Sequence, residues 1–246
     1  MKAGLIAAGL GERLQTAGVA TPKPLVRVAG RALVDHVLDA LAEAGIAEVA
    51  CLFNAEPGTD AVEAHCRGRG RAPRLEIRRK TTPSSIESLR EVVKILSPHP
   101  GPLPAGEEIS ALILTVDAVF APATLRAFVA AAAHWPDADA VLAVTDHVDD
   151  EKPLHATLDG CGRITALGTA AAGGEWITAG FYVIGPRALA AIAAARPGQF
   201  AALRAFLAHL VDGGSLVYGV PMGKTLDVDR PQDIAAAEAF VRRGYR

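Results

Sequence analysis

Aromatic residues make up only 5% of this 246-residue chain, and it carries just three cysteines and two methionines. Half the residues are apolar and alanine is abundant, so a well-buried core would be built from small side chains. Cys51, Cys66 and Cys161 lie far apart. Their spacing fits no metal site and their odd number no disulfide set, which points to a reducing, cytoplasmic setting. No apolar segment approaches the roughly 18 uncharged residues of a membrane span. The apolar run at the N-terminus is short and ends in glycines, unlike a secretory signal. A soluble protein with no membrane partner is expected. An excess of one charge is missing too: 25 Lys and Arg against 27 Asp and Glu leave a net charge of −2. That gives nucleic acid no broad basic face, so local cations need a local reason.

Several familiar motifs are also absent. After Gly9-Leu10-Gly11 the place of a third dinucleotide-binding glycine is held by Leu14, and Asp35, the nearest acidic candidate, falls in a helical pattern. The Gly-Lys-Ser/Thr of a phosphate-binding P-loop does not occur. No serine or cysteine sits in a nucleophile elbow. No Asp-x-Asp follows the central strand, as a GT-A glycosyltransferase would need. Hexapeptide repeats of a β-helix are not seen.

What is present is densest in the first thirty residues. A short apolar run over 4–8 reads as a buried strand. It opens into Gly9-Leu10-Gly11, where backbone can come close to a ligand. Arg13 follows, and Lys23 stands between Pro22 and Pro24. Oriented N–H groups and two fixed cations are what a polyphosphate requires.

Further on, 33–44 has a helical apolar face (Leu33, Val37, Leu38, Leu41) stopped by Gly45, and 47–53 reads as the next parallel strand, giving a βαβ unit. A weak helix over 58–66 precedes Arg67, Arg69 and Arg71, read here as a solvated loop in preference to an anion grip. A third strand at 75–78 leads to Thr82-Pro83-Ser84-Ser85 and a helix, with Ser84 and Glu87 as a capping box. The Pro- and Gly-rich stretch 97–106 reads as a surface connection. The most apolar strand, 109–116, should be central, and it ends in Asp117, where open α/β sheets place ligand groups. A helix over 121–134, a strand over 138–145 and a hairpin around 159–162 come next. The strand of Ile177, Thr178, Gly180 and Phe181 precedes helices at 186–195 and 200–211. After a strand at 215–220 the last motif is Gly223-Lys224-Thr225-Leu226-Asp227-Val228-Asp229-Arg230-Pro231, leading into a C-terminal helix. Alternation puts Asp227 and Asp229 on one side of a strand. Asp233 reads as a first-turn helix charge, and Lys224 as either a phosphate contact or a surface lysine.

Ala7-Ala8-Gly9-Leu10-Gly11-Glu12-Arg13-Leu14 followed by Pro22-Lys23-Pro24-Leu25 and Val28-Ala29-Gly30 resembles the signature of the sugar-phosphate nucleotidylyltransferases, NTP transferases with a GT-A-like, MobA-like fold. Residues 115–117, 176–186 and 224–234 resemble later motifs of that family in the same order. The resemblance implies a single domain over 1–246: a three-layer α/β/α fold with a central mixed, mostly parallel sheet. It implies nucleotide contacts from Ala7, Ala8, Gly9, Leu10 and Gly11, and from Thr82, Ser84 and Ser85, where the family's usual glycine is missing. Arg13 and Lys23 would be catalytic, on the β- and γ-phosphate side. Asp117 would hold the divalent ion, without the glycine that commonly precedes it. Asp229, or Asp227 close behind it, would complete the site. Thr178, in place of an asparagine, and Gly180 would line the acceptor side. Glu151-Lys152-Pro153 resembles a sugar-binding triplet but comes before the hairpin instead of after it.

Two carboxylates across strand ends suit a hard cation, most simply Mg²⁺. The expected reaction joins a nucleoside triphosphate to a phosphorylated small-molecule acceptor with release of pyrophosphate, in a monomer or homodimer. A CTP-dependent enzyme acting on phosphocholine or inositol phosphate is the alternative acceptor reading, a molybdopterin-type acceptor a remoter one. A non-catalytic nucleotide-sugar-binding homologue is the alternative class.

Overall fold

The computed structural model describes residues 1–96, 110–147 and 153–245. β1 (Lys2–Ala7) is buried beyond its first residue. After it come α1 (Glu12–Thr16), a 3-10 turn at Lys23–Leu25, a small hairpin of β2 (Arg27–Val28) and β3 (Arg31–Ala32), and α2 (Leu33–Glu43). β4 (Glu48–Phe53), α3 (Asp60–Arg67), β5 (Arg74–Arg79) and α4 (Ser85–Leu96) follow. The second half runs β6 (Ala111–Thr115), β7 (Ala118–Val119), α5 (Pro122–Ala132), β8 (Ala140–Thr145), β9 (His155–Leu158), β10 (Ile164–Leu167) and β11 (Trp176–Ile184). It closes with α6 (Pro186–Ala194), α7 (Leu203–Asp212), β12 (Val217–Pro221), β13 (Leu226–Asp227) and α8 (Pro231–Arg242). The connection 97–106 and the residues Glu151 and Lys152 lie outside the described residues.

Among the described residues nine strands form one mixed sheet in the order β10-β9-β11-β6-β1-β4-β5, with β8 joining β11 to β12. β6, β1, β4 and β5 run parallel, and β11 runs antiparallel to β6 and β8. The strand before Asp117 is therefore central, as its composition implies. Period-two alternation along β1 sends Ala3, Leu5 and Ala7 to a core under α2, α3 and α5, and Ile6 with Ala8 to a second core under α4, α6 and α7. These are the three layers expected. α4 lies so close to β1 that a Cβ at Gly4 would overlap Val92. A third cluster packs Phe240 and Ala237 of α8 on Leu14, Val119, Leu226 and Val228. It fastens the C-terminal helix beside the beginning of the chain.

The arginine-rich stretch departs from the solvated loop expected of it. Arg69 is 4% exposed at its side chain and forms ion pairs with Asp35 and, at 2.6 Å, Asp39. Those carboxylates sit one turn apart on α2, so they form a cup that a forked guanidinium fills. Arg71 joins at Asp39, 3.1 Å away. The cluster clips the strand-entry loop onto α2 and is not an anion grip. Cys51, Cys66 and Cys161 are all free thiols. Among the described residues no helix is long and apolar enough to cross a membrane.

Asp139 ties three elements together at the opposite end of the sheet from Asp117. Its carboxylate accepts from Arg187 Nε at 2.7 Å and from Leu216 N–H at 2.8 Å, and its carbonyl accepts from Gly185 N–H at 2.8 Å. Burial pushes the Asp139 carboxyl up, but Arg187 and the Leu216 N–H outweigh it and hold it below the usual range. A carboxyl with a depressed folded pKa adds stability above its unfolded value, and this is lost as pH falls through the folded value. Asp139→Asn is therefore expected to lower stability at neutral pH by about 2 kcal/mol and to flatten the loss of stability below about pH 4. Urea unfolding at neutral and acid pH reads both; matching midpoints for variant and wild type at neutral pH would contradict this role.

Candidate functional site

A cleft of about 460 Å³ opens at the C-terminal ends of β1 and β6, between the glycine turn, the 81–85 turn and the pair Asp117 and Asp229. Open parallel sheets bind ligands at this edge because loops there diverge to either face. The glycine turn is held from beneath. Gly11 has φ 68° and a Cβ there would lie 3.0 Å from Lys23 Cβ, so neither the backbone nor the space favours a side chain. Around Gly9 nothing lies within 4 Å of where a Cβ would be, which leaves its backbone open to a ligand. Gln15 Nε2 donates to the Leu10 carbonyl at 2.8 Å and pins the tip. Leu10 is one of only two exposed large apolar residues among those described.

Asp229 is brought from the far end of the chain by local pairing. Leu226 and Asp227 pair with Val119 and Ala118, and Val228 N–H donates to the Asp117 carbonyl at 3.1 Å. Asp233 caps α8 by accepting from the N–H groups of Asp229 (3.0 Å) and Arg230 (2.7 Å). The first-turn charge read from the sequence thus fixes the backbone that carries Asp229.

The two carboxylates meet on one ammonium. Lys23 Nζ donates to Asp117 Oδ2 at 2.7 Å and to Asp229 Oδ1, while Arg13 reaches Asp229 Oδ2 at 3.2 Å. The Lys23 side chain is only 9% exposed. Burial works to lower the Lys23 pKa, but Asp117 and Asp229 outweigh it and the net shift is upward. Burial likewise pushes Asp117 up, and Lys23 with the Thr115 hydroxyl brings it below the usual carboxylate range. Lys23 and Asp117 are therefore both charged at neutral pH.

This donor set fits a hard divalent ion. Two carboxylates converge within reach of a single cation, and Mg²⁺ takes one or two carboxylates together with waters and substrate phosphates. Among the described residues no group of three or more His, Cys, Asp or Glu is arranged to hold a metal ion. Asp227 does not line the cleft. Its Oδ1 lies 3.9 Å from where a Gly180 Cβ would be.

The structure brings Ala7, Ala8, Gly9, Leu10, Gly11, Arg13, Lys23, Thr82, Ser84, Ser85, Asp117 and Asp229 onto one cleft. Thr178 and Gly180 lie on β11, outside its lining, with Gly180 at φ 81° in a bulge beside Thr115 and Ala118. The hydroxyls of the 82–85 turn already have partners within the protein: Thr82 meets Ser88 at 2.6 Å, Ser84 accepts from Glu87 N–H at 3.4 Å, and Ser85 accepts from Leu203 N–H at 3.0 Å. Glu87 turns to Arg90 instead of closing the capping box.

Asn54 is the residue that sequence reasoning passed over. It follows β4, is buried, and donates Nδ2 to the Ala8 carbonyl at 2.7 Å. Its Oδ1 accepts from Glu56 N–H at 2.7 Å and Thr81 Oγ1 at 3.3 Å. It bridges the glycine turn to the opposite wall. Its place at a parallel strand's C-terminal end was the available signal. Asn54→Ala would leave the Glu56 N–H and Ala8 carbonyl without partners. A stability loss of about 2 kcal/mol is expected by urea unfolding, with nucleotide affinity reduced in calorimetry; unchanged values in both would refute the bridge.

Comparison with known proteins follows the same lines. Residues 3–214 match the family described as the MobA-like NTP transferase domain. An N-acetylmuramate alpha-1-phosphate uridylyltransferase from Caulobacter vibrioides is 47% identical over 76 residues, which cover 30% of this chain and 31% of that protein. A bifunctional IPC transferase and DIPP synthase from Rubrobacter xylanophilus is 26% identical over 247 residues, covering 97% of this chain and 51% of that protein. The chain thus matches about half the length of that relative and less of the other. The solved inositol-1-phosphate CTP transferase from T. maritima shares the fold at a TM-score of 0.75 and 20% identity, with coverage of 100% and 97%. A family match over most of the sequence, on the fold and motifs described, settles the membership: this chain belongs to the MobA-like NTP transferase domain family.

Proposed function

We propose that the protein is a nucleotidylyltransferase that uses a pyrimidine nucleoside triphosphate and a phosphorylated sugar or polyol. The observation that carries this is the convergence of Lys23, Arg13, Asp117 and Asp229 beside a glycine turn with open backbone. The pyrimidine assignment is supported by relatives named for uridylyl and CTP transfer. The acceptor class is supported by names that specify a sugar 1-phosphate and inositol 1-phosphate.

In this reading a phosphate oxygen of the acceptor attacks the α-phosphorus of the nucleotide. One P–O bond forms to the acceptor, the bond from the α-phosphorus to the bridging oxygen breaks, and pyrophosphate leaves with that oxygen. Mg²⁺, held by Asp117 and Asp229, would neutralise phosphate charge and polarise the reacting centre. Arg13 and Lys23 stabilise the negative charge that builds on the departing pyrophosphate. The glycine turn and Asn54 hold the nucleotide in line. Charge stabilisation and positioning are the whole of it, so no covalent nucleophile is needed. Triphosphates and free thiols both suit a cytoplasmic enzyme.

The test is pyrophosphate release with Mg²⁺ across CTP, UTP, ATP and GTP, against sugar 1-phosphates, inositol 1-phosphate and phosphocholine. Turnover with CTP or UTP and a sugar or inositol phosphate is expected, falling by about 100-fold or more in Asp117→Asn. Turnover confined to ATP or GTP would overturn the pyrimidine assignment, and phosphocholine alone the acceptor class. A protein that binds nucleotide but turns over nothing in the panel would favour the binding-only homologue.

A further inference from the structure

The oxygens best placed to bind a divalent ion are already engaged by this chain's own cations. Asp117 Oδ2 and Asp229 Oδ1 both accept from the Lys23 ammonium, and Asp229 Oδ2 accepts from Arg13. A divalent ion approaching these carboxylates would face a buried ammonium at hydrogen-bonding distance, in a setting where like charges repel strongly. Lys23 can leave only if another anion receives it, because a buried unpaired ammonium is costly.

The cleft supplies the direction in which it would move. Lys23 lines the cleft together with the glycine turn. Its backbone is fixed in the 3-10 turn Lys23–Leu25, so the anchor point stays while four rotatable bonds let the head swing. A triphosphate at the glycine turn would present several anionic oxygens to Lys23 and Arg13 at once.

We infer that Lys23 closes the cation site to free divalent ions and holds Asp117 and Asp229 in register until a nucleoside triphosphate draws its ammonium away. Lys23 is then a positioning residue before it is a phosphate ligand, and metal enters with the nucleotide. The swing towards phosphate rests on the nucleotidylyltransferase reading; the exclusion of free metal does not.

The experiment is Mn²⁺ titration followed by electron paramagnetic resonance, without nucleotide or acceptor, on wild type and Lys23→Met. Wild type should bind Mn²⁺ weakly, and the variant at least about tenfold more tightly, because two facing carboxylates have lost their compensating charge. Thermal unfolding gives a second readout. Millimolar Mn²⁺ should leave the wild-type midpoint nearly unmoved and raise that of the variant, or restore folding where the variant fails without metal. Tight Mn²⁺ binding by wild type, or a variant that gains neither affinity nor stability from Mn²⁺, overturns the inference. Adding CTP or UTP to wild type should then produce a protein-bound Mn²⁺ signal. Calorimetry separates the two readings: no CTP or UTP binding to wild type defeats the proposed reaction, while the nucleotide-free titrations still judge Lys23.

Discussion

Two carboxylates separated by most of the second half of the chain share one buried ammonium, and the rest of the site is arranged around that contact. Asp117 lies just beyond the central strand and Asp229 just before the last helix, so bringing them together sets like charges side by side. Without Lys23 between them the pairing of β7 with β13 would carry a net repulsion. A buried ion triad of this kind is weak evidence for stability in itself, because desolvation offsets much of the attraction. Its persistence at a cleft is better explained by a function that needs carboxylates held close together.

The scaffold makes that closeness possible where an antiparallel strand meets the central parallel one. β11 runs antiparallel beside β6, and its bulge at Gly180 leaves room next to Thr115 and Ala118 for the returning segment that carries Asp227. A side chain at Gly180 would press on Thr115 Oγ1 at 3.2 Å and demand a backbone angle of φ 81°. The aromatic cluster of Phe120, Phe128 and Phe181 packs behind the same turn at ring distances of 5.0 and 5.1 Å. Three of the chain's twelve aromatic residues are thus gathered where the central strand hands over to the site.

Much of this was legible because it is local. The glycine turn, Lys23 between prolines and an acidic residue at a strand end each declare themselves within a few neighbouring residues. What the sequence concealed depends on distant partners. Arg69 resembles any loop arginine until Asp35 and Asp39 are known to lie one helical turn apart beneath it. Asn54 carries no motif of its own, since its meaning lies in the Ala8 carbonyl across the sheet. Alternation placed Asp227 and Asp229 on one side of a strand, yet the strand ends at Asp227. Beyond that point the period of two no longer governs direction, and the cap from Asp233 orients Asp229 instead.

The charge balance of the site bears on what it can accept. Lys23 and Arg13 against Asp117 and Asp229 sum to zero, within a chain whose total is −2. A neutral cluster does little to attract a polyanion from a distance, where long-range steering depends on net local charge. It gains strength only when its internal pairs are exchanged for pairs with the ligand, one cation to a phosphate and one carboxylate to a metal. Such an exchange keeps the number of buried charge contacts nearly constant, and so avoids exposing any single charge to a dry interior. A ligand lacking either the phosphates or the accompanying cation would leave half of the exchange undone. Under the proposed reaction, selectivity for a metal–nucleotide pair would follow from the balance of these four charges, with the glycine turn supplying backbone N–H groups that carry no charge of their own.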